Sequence, residues 1–257
     1  MLFAVDLDML VHLPPEPDIA DVVTARLRIR GYEVEQSEVL WLLREARYDL
    51  FARGRYAAAF NYPQLLRRVF KIEEDLHSFL CDFFCRSSII EPEAESFLAE
   101  IHRCGSIVFV TNLPSRIAVP LLDSTRIRRY SNRVVTSDAV GTIKPWAYGF
   151  VRKTEPLTVV GDEAFADVYG GLVANADLIL LVSRSYGLRG LVSINQLRHH
   201  IIEEAHRFPA HVDTRLLRRC ASKPLYIVHS LTDAAVFVRT LSKKRPFPKP
   251  PSIPHIP

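Results

Sequence analysis

Short apolar runs alternate with segments of helical period along most of this chain. The first, Leu2-Phe3-Ala4-Val5, leads straight into Asp6-Leu7-Asp8. A continuous run that short, rich in Phe and Val, predicts a strand buried on both faces, as in a parallel sheet. Further runs at residues 106–110, 133–137, 157–161, 178–182 and 225–228 predict strands of the same kind. Between them, residues 115–122, 146–153 and 233–241 carry helical character, and a helix before the second strand ends near Cys104 with Gly105 as its stop. Strands alternating with helices predict an α/β protein with a parallel sheet and helices on both faces.

One region breaks the alternation. From about Asp18 to Leu98 the apolar residues recur at helical spacing, as in Ile19-Val22-Val23-Leu27 and Val39-Leu40-Leu43-Ala46-Leu50. Pro14, Pro15 and Pro17 read as a linker into it, and Pro63 and Pro92 as breaks within and after it. The pattern predicts a small module of about four helices inserted directly after the first strand. The division that follows is a core of residues 1–14 and 95–241, a helical module of residues 15–94, and a Pro-rich basic tail of residues 242–257 that reads as extended. A helix-rich stretch at about 185–224, with a helix over 194–207, interrupts the core before its last strand. No internal repeat is evident.

Composition narrows the class. The chain has 257 residues, 48% hydrophobic and 24% charged, which suits a globular protein able to bury a core. The net charge of +4 sits in scattered Arg and in Lys243-Lys244-Arg245. That mild excess suits anionic small molecules as readily as nucleic acid, and no nucleic-acid motif accompanies it. Cys81 and Cys85 stand four apart on one helix face, but without a CxxC pair the four cysteines read as buried thiols of a reduced compartment, rather than zinc ligands or disulfides. With no signal peptide evident and no apolar run of membrane-spanning length, the expectation is a soluble cytoplasmic protein with no membrane partner.

Candidate chemistry sits at the strand ends. In open α/β sheets ligands bind beyond the carboxyl ends of the strands. Strand one supplies Asp6 and Asp8, which share a strand face because the side-chain period is two. A buried carboxylate is costly unless it is paired or holds a metal, so two of them need a cause. The second strand supplies Thr111-Asn112, the turn after the third supplies Lys144-Pro145, and the fourth supplies Gly161-Asp162-Glu163 with Asp167 following. Each is a common loop residue when taken alone. Together they set acids, a hydroxyl and an ammonium at successive strand ends.

In this order the segments resemble the four motifs of the haloacid dehalogenase-like (HAD) hydrolase superfamily. The first is an apolar strand ending in DxD, here Val5-Asp6-Leu7-Asp8; the second is a strand ending in Ser or Thr, here Phe109-Val110-Thr111-Asn112. The third is a Lys in a Lys-Pro step, here Ile143-Lys144-Pro145, and the fourth an acidic GDxxxxD-like turn, here Gly161 to Asp167. The resemblance covers residues 1–11 and about 95–185, and implies a Rossmann-like core with a helical cap inserted after the first motif. It departs from the usual pattern at Met9 and Leu10, where a small or polar residue and then Thr or Val are usual, and a bulky Met there is expected to alter the turn that shapes the entrance.

The resemblance implies a magnesium-dependent hydrolase of a small-molecule phosphate monoester. Asp6 would be the nucleophile and Asp8 the general acid and base. Thr111, Asn112 and Lys144 would hold the phosphoryl oxygens. Mg²⁺ would be bound by Asp6, Asp8 through its backbone carbonyl, and Asp162, with Asp167 assisting and Glu163 as its stand-in. Asp8 favours phosphoester cleavage over dehalogenation, since a halide leaves unprotonated; a phosphomutase keeps both aspartates, and a non-catalytic scaffold of the same fold is the alternative from another class. Substrate choice is expected in the cap, where Arg53 or Arg55, flanking Gly54, would reach an anionic substrate group.

Overall fold

The structure is a computed structural model and describes residues 1–71, 76–151 and 155–243. Among the described residues nine strands lie in two sheets: β1 (Leu2–Asp6), β2 (Val11–His12), β3 (Ile89–Ile90), β4 (Ser106–Val110), β5 (Val134–Val135), β6 (Leu157–Gly161), β7 (Leu178–Val182), β8 (Gly190–Val192) and β9 (Leu225–Val228). The main sheet has the order β5-β4-β1-β6-β7-β9-β8. Every pairing in it is parallel except that of β8 with β9. The fold is α/β, with a mostly parallel sheet between helical layers.

The continuous apolar runs are explained by burial on both faces. Phe3 and Val5 of β1 join Phe109 and Val160 on one side, while Leu2 and Ala4 join Val108, Val110 and Val159 on the other. Alternate residues thus feed two separate cores, and no position in the strand is left for a polar side chain until the strand ends. Because β1 lies between β4 and β6, with Asp6 opposite Val110 and Val5 opposite Val160, the ends of these three strands open at one edge.

The helices are α1 (Glu16–Ile29), α2 (Gln36–Ala52), α3 (Tyr56–Ala59), α4 (Tyr62–Phe70), α5 (Leu76–Ser87), α6 (Ala94–Cys104), α7 (Ser115–Ser124), α8 (Ser137–Val140), α9 (Gly170–Val173), α10 (Ile194–His206), α11 (Thr214–Arg219) and α12 (Leu231–Lys243). The first five fill the chain between β2 and β3. Those two strands pair antiparallel, Val11 with Ile90 and His12 with Ile89, and so bring the entry and exit of the helical insert together.

Several local expectations change. Pro17 is no linker residue: it lies in the first turn of α1, where its missing N–H costs nothing. Met9 and Leu10 are buried in the apolar core, and Leu7 O accepts from both Leu10 N (3.0 Å) and Val11 N (3.1 Å), so the turn after Asp8 closes on itself beneath the insert. Gly105 does end a helix, but in extended backbone: a Cβ there would stand 2.0 Å from Met1 O, so close approach to the first residue demands the glycine. The stretch 146–153 begins as a short 3₁₀ turn, Trp146–Phe150, and residues 152–154 lie outside the described residues. Of the four cysteine thiols only Cys220 is buried; Cys81, Cys85 and Cys104 are half-buried. The tail reading over Pro246–Pro251 also lies outside the described residues. Among the described residues no helix is long and apolar enough to cross a membrane.

Candidate active site

Three parallel strands end side by side, and each delivers a polar group as its apolar run stops. Asp6 closes β1 and is almost fully buried; its Oδ1 accepts from Asp8 N (3.1 Å) and lies 2.5 Å from Lys144 Nζ. Asp6 Oδ2 is buried and has no hydrogen-bond partner. Asp8, one turn on, is partly exposed at the cavity wall, and Lys144 Nζ stands 3.5 Å from its Oδ2. Thr111, after β4, is buried; its hydroxyl donates to Asp8 Oδ1 (3.1 Å) and accepts from Leu113 N (3.1 Å). Asn112 Oδ1 accepts from Lys144 N (2.8 Å), which ties the loop after β4 to the loop carrying the lysine.

The loop after β6 is organised by Asp167. Its Oδ2 accepts from the backbone N–H of both Asp162 and Glu163 (3.0 Å each), and its Oδ1 accepts from the Tyr148 hydroxyl (2.7 Å). Gly161 makes this possible: a Cβ there would fall 2.1 Å from Asp167 Cγ, inside the space the carboxylate occupies. The residues 164–169 form a wide π-type turn that swings Asp167 back under the strand end. Tyr148 was not foreseen from the sequence. Its signal was its place four residues after Lys144, in the same loop, where a buried Tyr needs a partner for its hydroxyl.

Charge in this recess is out of balance. Burial pushes the Asp6 carboxyl well above the usual carboxylate range, Asp167, Asp8 and Asp162 push it the same way, and Lys144 alone opposes them. Burial also leads the causes at Asp162, which is pushed up to about 6. Glu163 is pushed up to about 7, again with burial first, although its side chain is exposed by surface area and solvent screening weakens that push. Burial works against the Lys144 ammonium, but Asp167, Asp6 and Asp8 outweigh it and hold its pKa well above the ordinary lysine value. A single lysine does not compensate four acids.

The donors fit a hard divalent cation. Asp6, Asp162 and Asp167 each offer a carboxylate oxygen, all within 4.8 Å of one another. An all-oxygen set suits Mg²⁺ or a similar ion, and the unpartnered Asp6 Oδ2 is the kind of buried atom such an ion would satisfy. Asp167 differs from the other two in that both its oxygens already accept hydrogen bonds. The Asp8 carboxylate lies outside this trio and faces Thr111.

A cavity of about 480 Å³ opens over these groups, between the strand ends and the insert. From below it is lined by Asp6, Asp8, Asn112, Lys144, Asp162 and Glu163. Arg44, Arg47, Tyr48 and Phe51 enter from α2, at spacings that place them on one helix face, while Glu16 and Phe60 come from α1 and the turn after α3. Arg53 and Arg55 are not among these lining residues. Arg53 caps the end of α2 and pairs with Asp49 at 2.7 Å, and Arg55 follows the Gly54 bend. Two lining residues, Arg207 and Phe208, come from the end of α10, in the stretch that interrupts the core.

Several solved structures have a similar chain path. The chain superposes on a HAD phosphatase from Thermococcus onnurineus with TM-score 0.50 and 20% identity, covering 74% of this chain and 88% of that one. The fold is that of the HAD-like hydrolases. An L-2-haloacid dehalogenase from Xanthobacter autotrophicus matches at TM-score 0.53 and 18% identity, over 93% of this chain and 98% of that chain. A 2-haloacid dehalogenase from Pseudomonas syringae pv. Tomato DC3000 matches at TM-score 0.51 and 18% identity, over 70% and 85%. No family model and no curated protein matches the chain.

Proposed function

We propose that this HAD-fold protein is a divalent-metal-dependent phosphohydrolase that cleaves a small-molecule phosphate monoester through an aspartyl-phosphate on Asp6. The observation that carries this reading is Asp8: a second carboxylate stands beside the first at the cavity wall, oriented by the Thr111 hydroxyl and held near Lys144. Displacement of a halide needs no such acid, whereas an alkoxide leaving from phosphorus does. Among HAD-fold proteins this favours phosphoester cleavage over dehalogenation.

In the first half-reaction an Asp6 carboxylate oxygen attacks phosphorus, the P–O bond to the alcohol breaks, and Asp8 gives its proton to the departing oxygen. In the second, Asp8, now a carboxylate, takes a proton from water as that water attacks phosphorus; the P–O bond to Asp6 breaks and phosphate leaves. Lys144 neutralises Asp6 and the incoming phosphoryl oxygens, and Asn112 fixes the lysine loop through Lys144 N. Asp6 and Asp162 would hold the metal ion, with Asp167 setting the loop that presents Asp162. When bound, the ion supplies positive charge to the phosphoryl group beside the acids.

The test is hydrolysis of p-nitrophenyl phosphate by wild type and Asp6→Asn, each with Mg²⁺ and with EDTA. Turnover confined to wild type with metal is expected. Turnover in EDTA, or by Asp6→Asn, contradicts the reading.

A further inference from the structure

The stretch between β7 and β9 does more than cover a sheet edge. Glu204 of α10 accepts from Phe165 N (2.8 Å) and from the Tyr186 hydroxyl (2.7 Å), and that hydroxyl accepts from Ala164 N (2.9 Å). The end of α10 is therefore tied directly to the loop that carries Asp162 and Glu163. Four residues on, Phe208 stacks on Phe165 of the core (centroids 6.0 Å apart) and meets Phe51 of the insert edge-on (5.7 Å). The backbone at residue 207 is thus anchored from both sides of the cavity.

Three arginines line that cavity, and they are not equivalent. Arg44 pairs with Glu16 at 3.1 Å. Arg47 also pairs with Glu16, donates to Ala59 O (3.3 Å), and lies over the rings of Phe60 and Tyr62. Both guanidinium groups are thus held by partners within the insert, although the one Glu16 carboxylate offsets only one of their two charges. The Arg207 side chain makes no ion pair or hydrogen bond among the described residues, although it lines both this cavity and an adjoining polar one of about 560 Å³. An uncommitted guanidinium on a fixed base, beside an aromatic wall and across a shared cavity from the reacting acids, has the geometry of an anion clamp.

We propose that Arg207 is a specificity-determining residue that binds a second anionic group of the substrate, so that the preferred substrates are phosphate monoesters carrying a further carboxylate or phosphate on a body that packs against Phe51, Phe60 and Phe208. This rests on the phosphohydrolase reading for the identity of the first anionic group.

A matched pair of probes isolates the second group: 4-carboxyphenyl phosphate and 4-nitrophenyl phosphate have the same shape and differ in the charge at the far end. Their dissociation constants are measured by calorimetry with Mg²⁺ on Asp6→Asn, on Asp6→Asn with Arg207→Ala, and on Asp6→Asn with Arg207→Lys. The preference for the carboxylated ester is expected to fall by about ten- to a hundredfold with alanine, and to return in part with lysine, which keeps the charge but not the fork. An equal preference in all three proteins, or no preference when Arg207 is present, overturns the inference. Parallel turnover assays of wild type separate the two claims. Arg207-dependent binding without hydrolysis of either ester leaves the clamp standing and removes the phosphohydrolase reading, whereas hydrolysis with no Arg207-dependent preference does the reverse.

Discussion

Asp8 and Asp162 carry the most testable consequences at the scale of single residues. If Asp8 protonates the leaving oxygen, Asp8→Asn should slow hydrolysis of an alkyl phosphate by about 10²–10⁴-fold. It should slow p-nitrophenyl phosphate much less in the first step, because nitrophenolate leaves without a proton; the nitrophenolate burst of the first turnover, set against first-turnover release of the alkyl alcohol, checks this. Asp162 predicts a pH signature. In the metal-free protein it keeps its proton up to about pH 6, against about 4 for an aspartate in an unfolded chain. Between those values the folded state holds more protons than the unfolded one, so the contribution of Asp162 is full below about pH 4 and is lost as pH rises to about 6. Thermal melts without metal should show Asp162→Asn gaining on wild type across that window and holding a constant difference above it. The strand-end acids, Thr111 and Asn112 were legible in the sequence because they follow an abrupt end to an apolar run, and Lys144 because it stands in a Lys-Pro step after the next strand. Tyr148 was not, since its bond to Asp167 depends on how two loops fold over one another.

Single elements explain both what was readable and what was missed. β4, β6, β7 and β9 keep their expected limits because strands buried on both faces are almost continuously apolar, the buried Thr158 in β6 being the exception inside a run. β8 escaped notice because it has three residues and its central Leu191 is exposed on the sheet edge. The insert was visible by helical period, yet the arginines singled out in it do not line the cavity. Arg53 and Arg55 drew attention by proximity to Gly54, while Arg44, Arg47, Tyr48 and Phe51 share the α2 face that meets the cavity. The role of α10 was illegible, because Glu204 reaches Phe165 N across 39 residues of chain. Its Ser193–Gln196 capping box, by contrast, is a local signal that marks where the helix begins. Glu204→Ala should cost about 1–3 kcal/mol of stability by leaving the buried donors it serves unpaired, and should weaken Mg²⁺ binding by loosening the loop under Asp162. Denaturant unfolding and a metal titration of the same variant measure both effects.

Across the whole molecule the site is a place where folding has gathered more negative charge than the protein itself balances. Asp6, Asp8, Asp162 and Asp167 converge on one lysine, and burial makes the excess costly. A bound divalent cation would lift that cost, so Mg²⁺ should raise the thermal midpoint of wild type, by the equivalent of about 2.7 kcal/mol at a hundred times its dissociation constant. Asp162→Asn should lose most of that gain. Whether Asp6 is the group that becomes phosphorylated can be read by rapid acid quench during turnover of a phosphate monoester, followed by peptide mass analysis. A phosphoryl group is expected on the peptide that contains Asp6, present with Mg²⁺, absent with EDTA and absent in Asp6→Asn. Turnover with the phosphoryl group on any other residue, or the same label in Asp6→Asn, would contradict it.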